Sequence, residues 1–221
     1  MSRYDSSFAD LPQTIPVFPL TGVLLLPRGM LPLNIFEPRY LNMVEDALKA
    51  DRMIGMIQPS READRSDKEP PLYAMGCAGR IVAFEETDDG RFLLSLKGVA
   101  RFRIGEELAT TRGYRRVAPD WGGFEDDLQE PESGTVARTK LFKSLKAFFK
   151  AQEIEASWEA LNETPDERLV NSLAMICPFE ASEKQALLEA PSLKERAEVL
   201  TALVEMAVLD TGGGGGDNAK Q

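Results

Sequence analysis

The sequence predicts an α+β fold in which a mostly β N-terminal module with one helix precedes a C-terminal bundle of helices. Short apolar runs separated by turn signals fill residues 12–120, and helical periodicity with helix-start signals fills residues 135–210. Between them, residues 121–134 are rich in Asp, Glu, Gly and Pro and form a predicted linker. Residues 1–11 are a predicted flexible lead-in, and residues 211–221, with their glycine run, are a predicted disordered tail.

The β module opens with two apolar runs, residues 15–20 (IPVFPL) and 30–36 (MLPLNIF), which are predicted strands. The four prolines within and between these runs lack the N–H that a central strand donates, so they indicate strand edges, bulges or turns. A helix is predicted over residues 38–50, because Pro38 at the first helical position loses no needed donor. A short buried strand is predicted at residues 53–58.

The remainder of the module has the pattern of a β-meander. Asp89-Gly90 is a strong hairpin signal, and residues 59–71 form a polar loop without an apolar anchor. Several short strands at this spacing predict a partly closed barrel or a sandwich. The predicted strands are residues 78–85, 92–97, 100–104 and 113–118.

Capping boxes and apolar stripes predict the helices of the C-terminal half. In each box a Ser or Thr hydroxyl can accept from the N3 amide while a Glu or Gln three residues later reaches back. The boxes are Thr164 with Glu167, Ser182 with Gln185 and Ser192 with Glu195. The first helix has an apolar stripe of Val136, Leu141, Leu145, Phe148 and Phe149, and the last has a seam of Leu193, Ala197, Leu200, Val204 and Ala207.

Catalytic chemistry has little support in this sequence. The chain has no histidine, which removes Ser-His and Cys-His dyads, His-ligated metals and the commonest general base. The dipeptide Gly-Lys does not occur, so no Walker A phosphate loop is present. The carboxylate pairs Glu85-Glu86 and Asp88-Asp89 flank the predicted hairpin tip. Charged residues are common on a solvent-exposed turn, so these pairs are explained without a divalent-cation site. We therefore predict no catalytic residue, no metal site and no cofactor.

Cysteine usage and hydropathy suggest a cytosolic location. Cys77 and Cys177 both lie in apolar surroundings and are predicted to be buried, inert thiols, with a disulfide or a reactive thiol as the alternative. No run approaches the ~20 apolar residues of a membrane span. The N-terminus lacks the apolar core of a secretory signal.

Charge is unevenly distributed along the chain. The formal net charge is −10, and residues 121–221 carry −9 of it, which opposes binding of phosphate backbones by that half. One basic concentration stands out, consisting of Arg101, Arg103, Arg112, Arg115 and Arg116. It predicts either a solvated strand face that discourages edge pairing or a patch for RNA, for an acidic peptide or for the chain's own acidic helices.

The connection between the first two strands is the best candidate for a functional surface. Leucines and a methionine beside prolines form an adaptable apolar patch, which suits recognition of many unfolded chains. The alternative is that Leu24, Leu25 and Leu26 plug the barrel. Glu37 and Arg39 are expected to form a local ion pair. The candidate peptide-binding residues are Leu25, Leu26, Arg28, Met30, Arg39 and Tyr40.

Several segments together resemble the N-terminal substrate-binding domain of the Lon ATP-dependent protease, over roughly residues 14 to 208. The segments most specific to this resemblance are residues 16–20 (PVFPL), 30–33 (MLPL) and 35–40 (IFEPRY). Residues 76–81, 98–104 and 184–189 support them. The sequence is most similar to short bacterial proteins made of that domain alone, although Asn34 stands where such proteins often have histidine.

This resemblance implies a PUA-like β pseudo-barrel followed by a helical extension. It also implies a non-catalytic module that binds unfolded or degron-bearing polypeptides, acts as an adaptor or regulator of proteolysis, and has an ATP-dependent protease as a partner. Lon uses a Walker A loop and a C-terminal Ser–Lys dyad, and this chain ends at residue 221, before such domains. We therefore expect neither ATP hydrolysis nor peptide cleavage.

Two alternatives follow from the same residues. The Arg-rich strands predict an RNA-binding module, with Phe102 and Tyr114 as stacking aromatics. A small-molecule sensor is the other alternative, because a related domain in a eukaryotic ubiquitin-ligase receptor accompanies a ligand-binding domain. That site is a cage of three tryptophans, and this chain has only Trp121 and Trp158, so the sensor ranks last.

Overall fold

The computed structural model describes residues 7–60, 70–109, 112–131 and 134–213. Its described part contains strands and helices in the predicted order, which confirms the α+β class. The strands are β1 Ile15–Pro19, β2 Met30–Ile35, β3 Met53–Ile57, β4 Met75–Glu86, β5 Phe92–Leu108 and β6 Arg115–Asp120. The helices are α1 Pro38–Lys49, α2 Arg138–Ala151, α3 Trp158–Glu163, α4 Asp166–Ile176, α5 Ala181–Glu189 and α6 Leu193–Gly213.

The chain divides into two compact units. The first comprises Met1–Glu130 together with Glu180–Leu188, and the second comprises Pro131–Phe179 and Glu189–Gln221. Helix α5 therefore belongs almost entirely to the β unit, whereas the sequence predicts one helical subdomain over residues 135–210. Most of the predicted tail, and residues 61–69 of the predicted polar loop, lie outside the described residues.

Five strands of the first unit close into a ring. β4 is antiparallel to both β3 and β5, and β3 is parallel to β1. β1 is antiparallel to β6, which returns to the last part of β5 and closes the ring. β2 pairs with the first part of β5, outside the ring. This arrangement agrees with the predicted partly closed barrel.

Strand β5 is one continuous element where the sequence predicts two, residues 92–97 and 100–104. Gly98 and Val99 interrupt the alternation of side chains, but the backbone continues through them with a register shift against β4 between Ala78 and Gly79. Such a bulge bends a strand and increases its twist. The bend lets the first half of β5 pair with β2 and the second half with β6.

The barrel interior is built around the ring of Phe102, which is fully buried. A Cβ atom at either Gly55 or Gly76 would lie 2.8 Å from the Phe102 ring. These two glycines therefore make room for the aromatic ring. The buried core around Phe102 consists of Leu11, Ile15, Val17, Met53, Ile57, Ala78 and Val117.

The predicted flexible lead-in and the predicted linker each contain regular structure in the first unit. In the lead-in, Phe8–Asp10 form a 3₁₀ turn. The Leu11 side chain, which follows this turn, packs in the core around Phe102. In the predicted linker, Glu125–Leu128 form a second 3₁₀ helix. Trp121 stacks edge-on against Phe102 and donates its indole N–H to the Pro12 carbonyl at 3.0 Å.

A buried ion pair attaches this predicted linker to β5. Asp127 accepts from the Arg101 Nε at 2.9 Å, from its Nη2 at 2.8 Å and from its backbone N–H at 2.9 Å. Arg101 also donates to the Leu188 carbonyl of α5 at 3.3 Å. The Arg101 and Arg103 guanidinium groups both lie over the Phe124 ring. Arg101 is therefore a buried structural residue rather than part of an exposed basic face.

Helix α5 is held to the barrel by buried amides. Gln58 donates to the Ala181 carbonyl at 2.9 Å, and Gln185 donates to the Met75 carbonyl at 3.1 Å. These polar contacts are invisible to hydrophobic periodicity, which explains why α5 was predicted as part of the helical subdomain.

The second unit contains α2, α3, α4 and α6. The five predicted apolar residues from Val136 to Phe149 are buried, as is the α6 seam from Leu193 to Val204. Of the three capping boxes, Ser192 acts as predicted and accepts from the Glu195 amide at 3.2 Å. The Thr164 hydroxyl instead donates to the Ala160 carbonyl at the end of α3. Ser182 lies inside α5, which begins at Ala181, and is therefore not the N-cap of that helix.

Leu200→Ala is expected to lower the free energy of unfolding by about 2–5 kcal/mol, because the Leu200 side chain is fully buried. Urea denaturation monitored by circular dichroism measures the change. Leu209→Ala is the matched control on the same helix, since Leu209 is 73% exposed. Equal midpoints for Leu200→Ala and the parent chain would contradict the packing of α6.

Asp127→Ala is expected to lower the free energy of unfolding by about 3–5 kcal/mol, because it leaves the buried Arg101 guanidinium without its carboxylate. Asp126→Ala, at the exposed neighbouring position, is expected to change it by less than about 0.5 kcal/mol. In the Arg101→Met background, Asp127→Ala should cost less than it does alone. Strict additivity of the two substitutions in urea denaturation would refute the coupling.

Candidate functional site

The connection predicted as an apolar surface is mostly interior. Leu25 is 1% exposed and Leu26 is 0% exposed, so neither offers a surface to a bound peptide. Leu24 is buried as well, so these three leucines belong to the protein interior, and Leu25 approaches Gly79 of β4. The backbone of this connection is fixed to β5. Arg28 donates its N–H to the Gly98 carbonyl at 2.9 Å, and Gly98 donates to the Gly29 carbonyl at 2.8 Å.

Gly98 is required for this close approach. Any Cβ atom at position 98 would overlap the Leu26 carbonyl oxygen. Arg28 adopts a left-handed backbone (φ 62°), and its guanidinium donates to the Asp127 carbonyl. Arg28 is therefore half-buried and engaged with the chain itself. Of the predicted residues in this connection, only Met30, which is 53% exposed, presents an apolar side chain to solvent.

Arg39 and Tyr40 lie together at the start of α1. Arg39 pairs with Glu37 at 3.0 Å, as predicted, and its guanidinium carbon lies 4.6 Å from the centre of the Tyr40 ring. The Tyr40 ring is buried and lies 4.4 Å from the Phe18 ring, and this burial raises the pKa of its hydroxyl. Tyr40 therefore remains neutral at physiological pH and contributes an aromatic surface.

An open groove of about 390 Å³ lies beside β2 and includes both of these residues. It contacts five consecutive residues of β2, although consecutive strand residues point to opposite faces of a sheet. The groove therefore follows an edge of β2 rather than one face. Its lining consists of Phe18, Pro19, Leu20, Val23, residues 31–35, Phe36, Glu37, Arg39 and Tyr40.

The edge along the groove is the one that carries no partner strand. Among the strands that the structure describes, β2 pairs with β5 alone. Gly98 exchanges hydrogen bonds with the 28–29 segment, and hydrogen-bonded residues alternate along an antiparallel pair. Leu31 and Leu33, opposite Leu96 and Leu94, therefore direct their backbone groups toward β5.

It follows that Met30, Pro32 and Asn34 direct their backbone groups toward the open edge of β2. Proline has no N–H, so this edge offers three carbonyl oxygens but only two amide donors. We call this combination of groove and strand edge the β2 edge site. Phe36 lines the groove of this site and is 62% exposed, so it offers apolar surface to solvent.

Sequence reasoning named Met30, Arg39 and Tyr40 in this region but missed Phe36, Leu31, Leu33 and Pro32. Proline in the middle of an alternating apolar run is typical of an open strand edge, and that signal was available in residues 30–36. The contribution of Phe18 and Val23 could not be predicted, because it depends on how the 20–29 connection folds back.

The other predicted arginines do not form a common basic surface. Arg115 donates to both carboxylate oxygens of Glu107 at 2.6 Å, and these hydrogen bonds lower the pKa of Glu107. Arg112 pairs with Glu45 and Asp46 on α1. Nothing in the described arrangement of these residues favours the RNA-binding alternative.

The described residues contain no group of three His, Cys, Asp or Glu side chains that could hold a metal ion. Both cysteines are buried as free thiols, as predicted. A search of the described helices finds none with the length and apolar character that crossing a membrane requires.

Comparison with solved structures supports the fold. The crystal structure of a Lon N-terminal domain protein from Xanthomonas campestris matches 86% of this chain and 97% of its own, with a TM-score of 0.59 and 23% identity. The N-terminal domain of Mycobacterium avium complex Lon protease matches the same shares with a TM-score of 0.58 and 18% identity.

Curated sequences give the same assignment. Lon protease 2 of Myxococcus xanthus is 27% identical over 199 residues, and Lon protease of Dictyoglomus thermophilum is 26% identical over 193 residues. These matches cover 88% and 87% of this chain, which spans about a quarter of the length of each relative (24%). The profile of the ATP-dependent protease La (LON) substrate-binding domain matches residues 14–205. The chain therefore belongs to the LON substrate-binding domain family.

Proposed function

We propose that this chain binds extended segments of unfolded or degron-bearing polypeptides at the β2 edge site. One observation carries the proposal: an apolar groove follows the unpaired edge of a strand. An extended peptide can add to such an edge, where main-chain hydrogen bonds supply affinity and alternate side chains enter the groove. Membership of a substrate-binding family supports this function.

The physical basis of binding would be largely independent of client sequence. Backbone groups are common to all polypeptides, and apolar contacts with Val23, Leu33 and Phe36 contribute roughly 25 cal/mol per Å² of buried apolar surface. Folded proteins hide both their backbone groups and their apolar side chains. The β2 edge site would therefore select clients by their unfolded state.

We further propose that the chain acts without catalysis of its own, as an adaptor or regulator of an ATP-dependent protease. This chain matches the substrate-binding domain of ATP-dependent protease La, and the curated relatives that it matches are named as Lon proteases. Delivery of clients to a separate protease would use the β2 edge site as the point of capture.

Phe36→Asp is expected to weaken binding of a reduced, unfolded model protein about tenfold, because a charge on the groove lining opposes apolar contact. Fluorescence anisotropy with a labelled client measures the dissociation constant, which we expect in the micromolar range and nearly independent of salt. Val82→Asp is the matched control, since Val82 is an exposed apolar residue of β4 outside the groove.

Two outcomes would contradict this proposal. The first is equal affinity of Phe36→Asp and the parent chain for the unfolded client. The second is tight binding of RNA that survives Phe36→Asp and falls with salt at a log–log slope of about −0.7 per phosphate contacted. Leu25→Asp is unsuitable as a test because Leu25 lies in the core.

Asn34→Pro tests strand addition separately from apolar contact. Asn34 directs its amide toward the open edge, so proline there removes one of two remaining donors without removing a β2–β5 hydrogen bond. We expect a several-fold loss of client affinity with an unchanged melting temperature. Asn34→Ala is the control that removes the side chain and keeps the amide. Equal affinities for Asn34→Pro and Asn34→Ala would show that the client does not pair with this edge.

A further inference from the structure

A second pocket of about 310 Å³ lies in the first unit, where the C-terminal end of α1 meets the start of β1 and Arg116 of β6. It shares no lining residue with the β2 edge site. Its volume is at the lower end of the range of roughly 300–1,000 Å³ typical of small-molecule sites. β1 pairs with β3 and β6, and β6 pairs with β1 and β5, so this pocket lacks the open strand edge that an extended polypeptide would use.

Arg116 brings positive charge to this pocket. Arg116 lies opposite Pro16 in the β1–β6 register and donates to the Thr14 hydroxyl at 3.2 Å. Among the described residues Arg116 forms no ion pair, in contrast to Arg112 and Arg115. Its remaining donors suit a carboxylate, which a guanidinium can bind through two parallel hydrogen bonds.

Asp51 brings negative charge to the same pocket. It follows the last turn of α1, where the carbonyl end of the helix adds partial negative charge, and its side chain makes no ion pair within the described residues. Its backbone carbonyl accepts from Arg80 at 3.0 Å. Asp46 lines the same pocket and accepts from the Tyr114 hydroxyl at 2.7 Å. Burial raises the pKa of Asp46, but the hydrogen bonds and charges of Tyr114 and Arg112 outweigh it and lower that pKa. Asp46 is therefore a fixed carboxylate at neutral pH.

The remaining lining is largely apolar, and Pro12, Pro16 and Ala50 are its solvent-accessible apolar members. Asp46 is already paired with Arg112, so the charges without an ion-pair partner are those of Asp51 and Arg116. A zwitterion can satisfy both, because its ammonium group can face Asp51 while its carboxylate faces Arg116.

We infer that this pocket binds a free α-amino acid, with the carboxylate on Arg116, the ammonium group near Asp51 and the end of α1, and the side chain against the apolar lining. The site differs from the three-tryptophan cage considered from the sequence, and it does not depend on the proposed polypeptide binding. It would make the module responsive to a small metabolite.

Thermal-shift measurements on the full chain with each of the twenty free amino acids test this inference, followed by calorimetry with L-leucine or whichever amino acid gives the largest shift. We expect at least one to raise the melting temperature, and its decarboxylated and deaminated analogues to bind at least tenfold more weakly. For leucine these analogues are 3-methylbutan-1-amine and 4-methylpentanoate. No shift with any amino acid, or equal binding of either analogue, would overturn the inference.

Variants locate the ligand. Arg116→Met and Asp51→Asn are each expected to weaken amino-acid binding at least tenfold, whereas Arg103→Met and Asp88→Asn, at exposed positions outside the pocket, should leave it unchanged. Asp51 is exposed, so Asp51→Asn keeps the test valid even where Arg116→Met lowers stability. Unchanged affinity in Asp51→Asn would refute the assignment. Phe36→Asp should not alter amino-acid binding, which separates this site from the β2 edge site.

Discussion

Strand β5 imposes the constraint on which both the barrel and the open edge depend. One edge of β5 is occupied by β4, and the other carries β2 over Phe92–Lys97 and β6 over Arg103–Leu108. A strand edge can bind only one neighbour at each point. Because β6 takes the second half and closes the ring, β2 is left outside it with one edge unpaired. Barrel closure and the candidate binding edge therefore have the same origin in the bend at Gly98 and Val99.

An open strand edge favours aggregation, and the position of Pro32 limits that risk. A second β2 edge approaching this one would find no donor at the centre of the strand, which weakens pairing between copies. An extended client can still donate its own N–H to the Pro32 carbonyl. The edge thus keeps acceptors for a client while reducing its self-complementarity, and apolar contacts in the groove compensate for the missing hydrogen bond.

Local patterns predicted the elements of this fold better than their assembly. The alternation of residues 30–36, Pro38 at a helix start and the Asp89-Gly90 turn were each sufficient for a correct element, because each depends on nearby residues. The burial of Leu25 and Leu26, the attachment of Asp127 to Arg101 and the docking of α5 depend on residues distant in sequence. Buried polar partners such as Gln58 and Gln185 have no periodic signature, so the boundary between the two units could not be predicted. The candidate site was only partly predicted for the same reason.

The arginines illustrate how composition alone misleads about binding. Five arginines within sixteen residues suggest a basic surface, yet Arg101, Arg112 and Arg115 each face a carboxylate supplied by another part of the first unit. The charges of these three arginines are neutralised within the fold, so they do not form the unpaired basic surface that a nucleic-acid module would offer. The β2 edge site would discriminate by conformation, since an unfolded chain presents both backbone and apolar side chains and a folded one presents neither. The chemistry that remains exposed after folding, and not the composition, therefore favours polypeptide over RNA as the client.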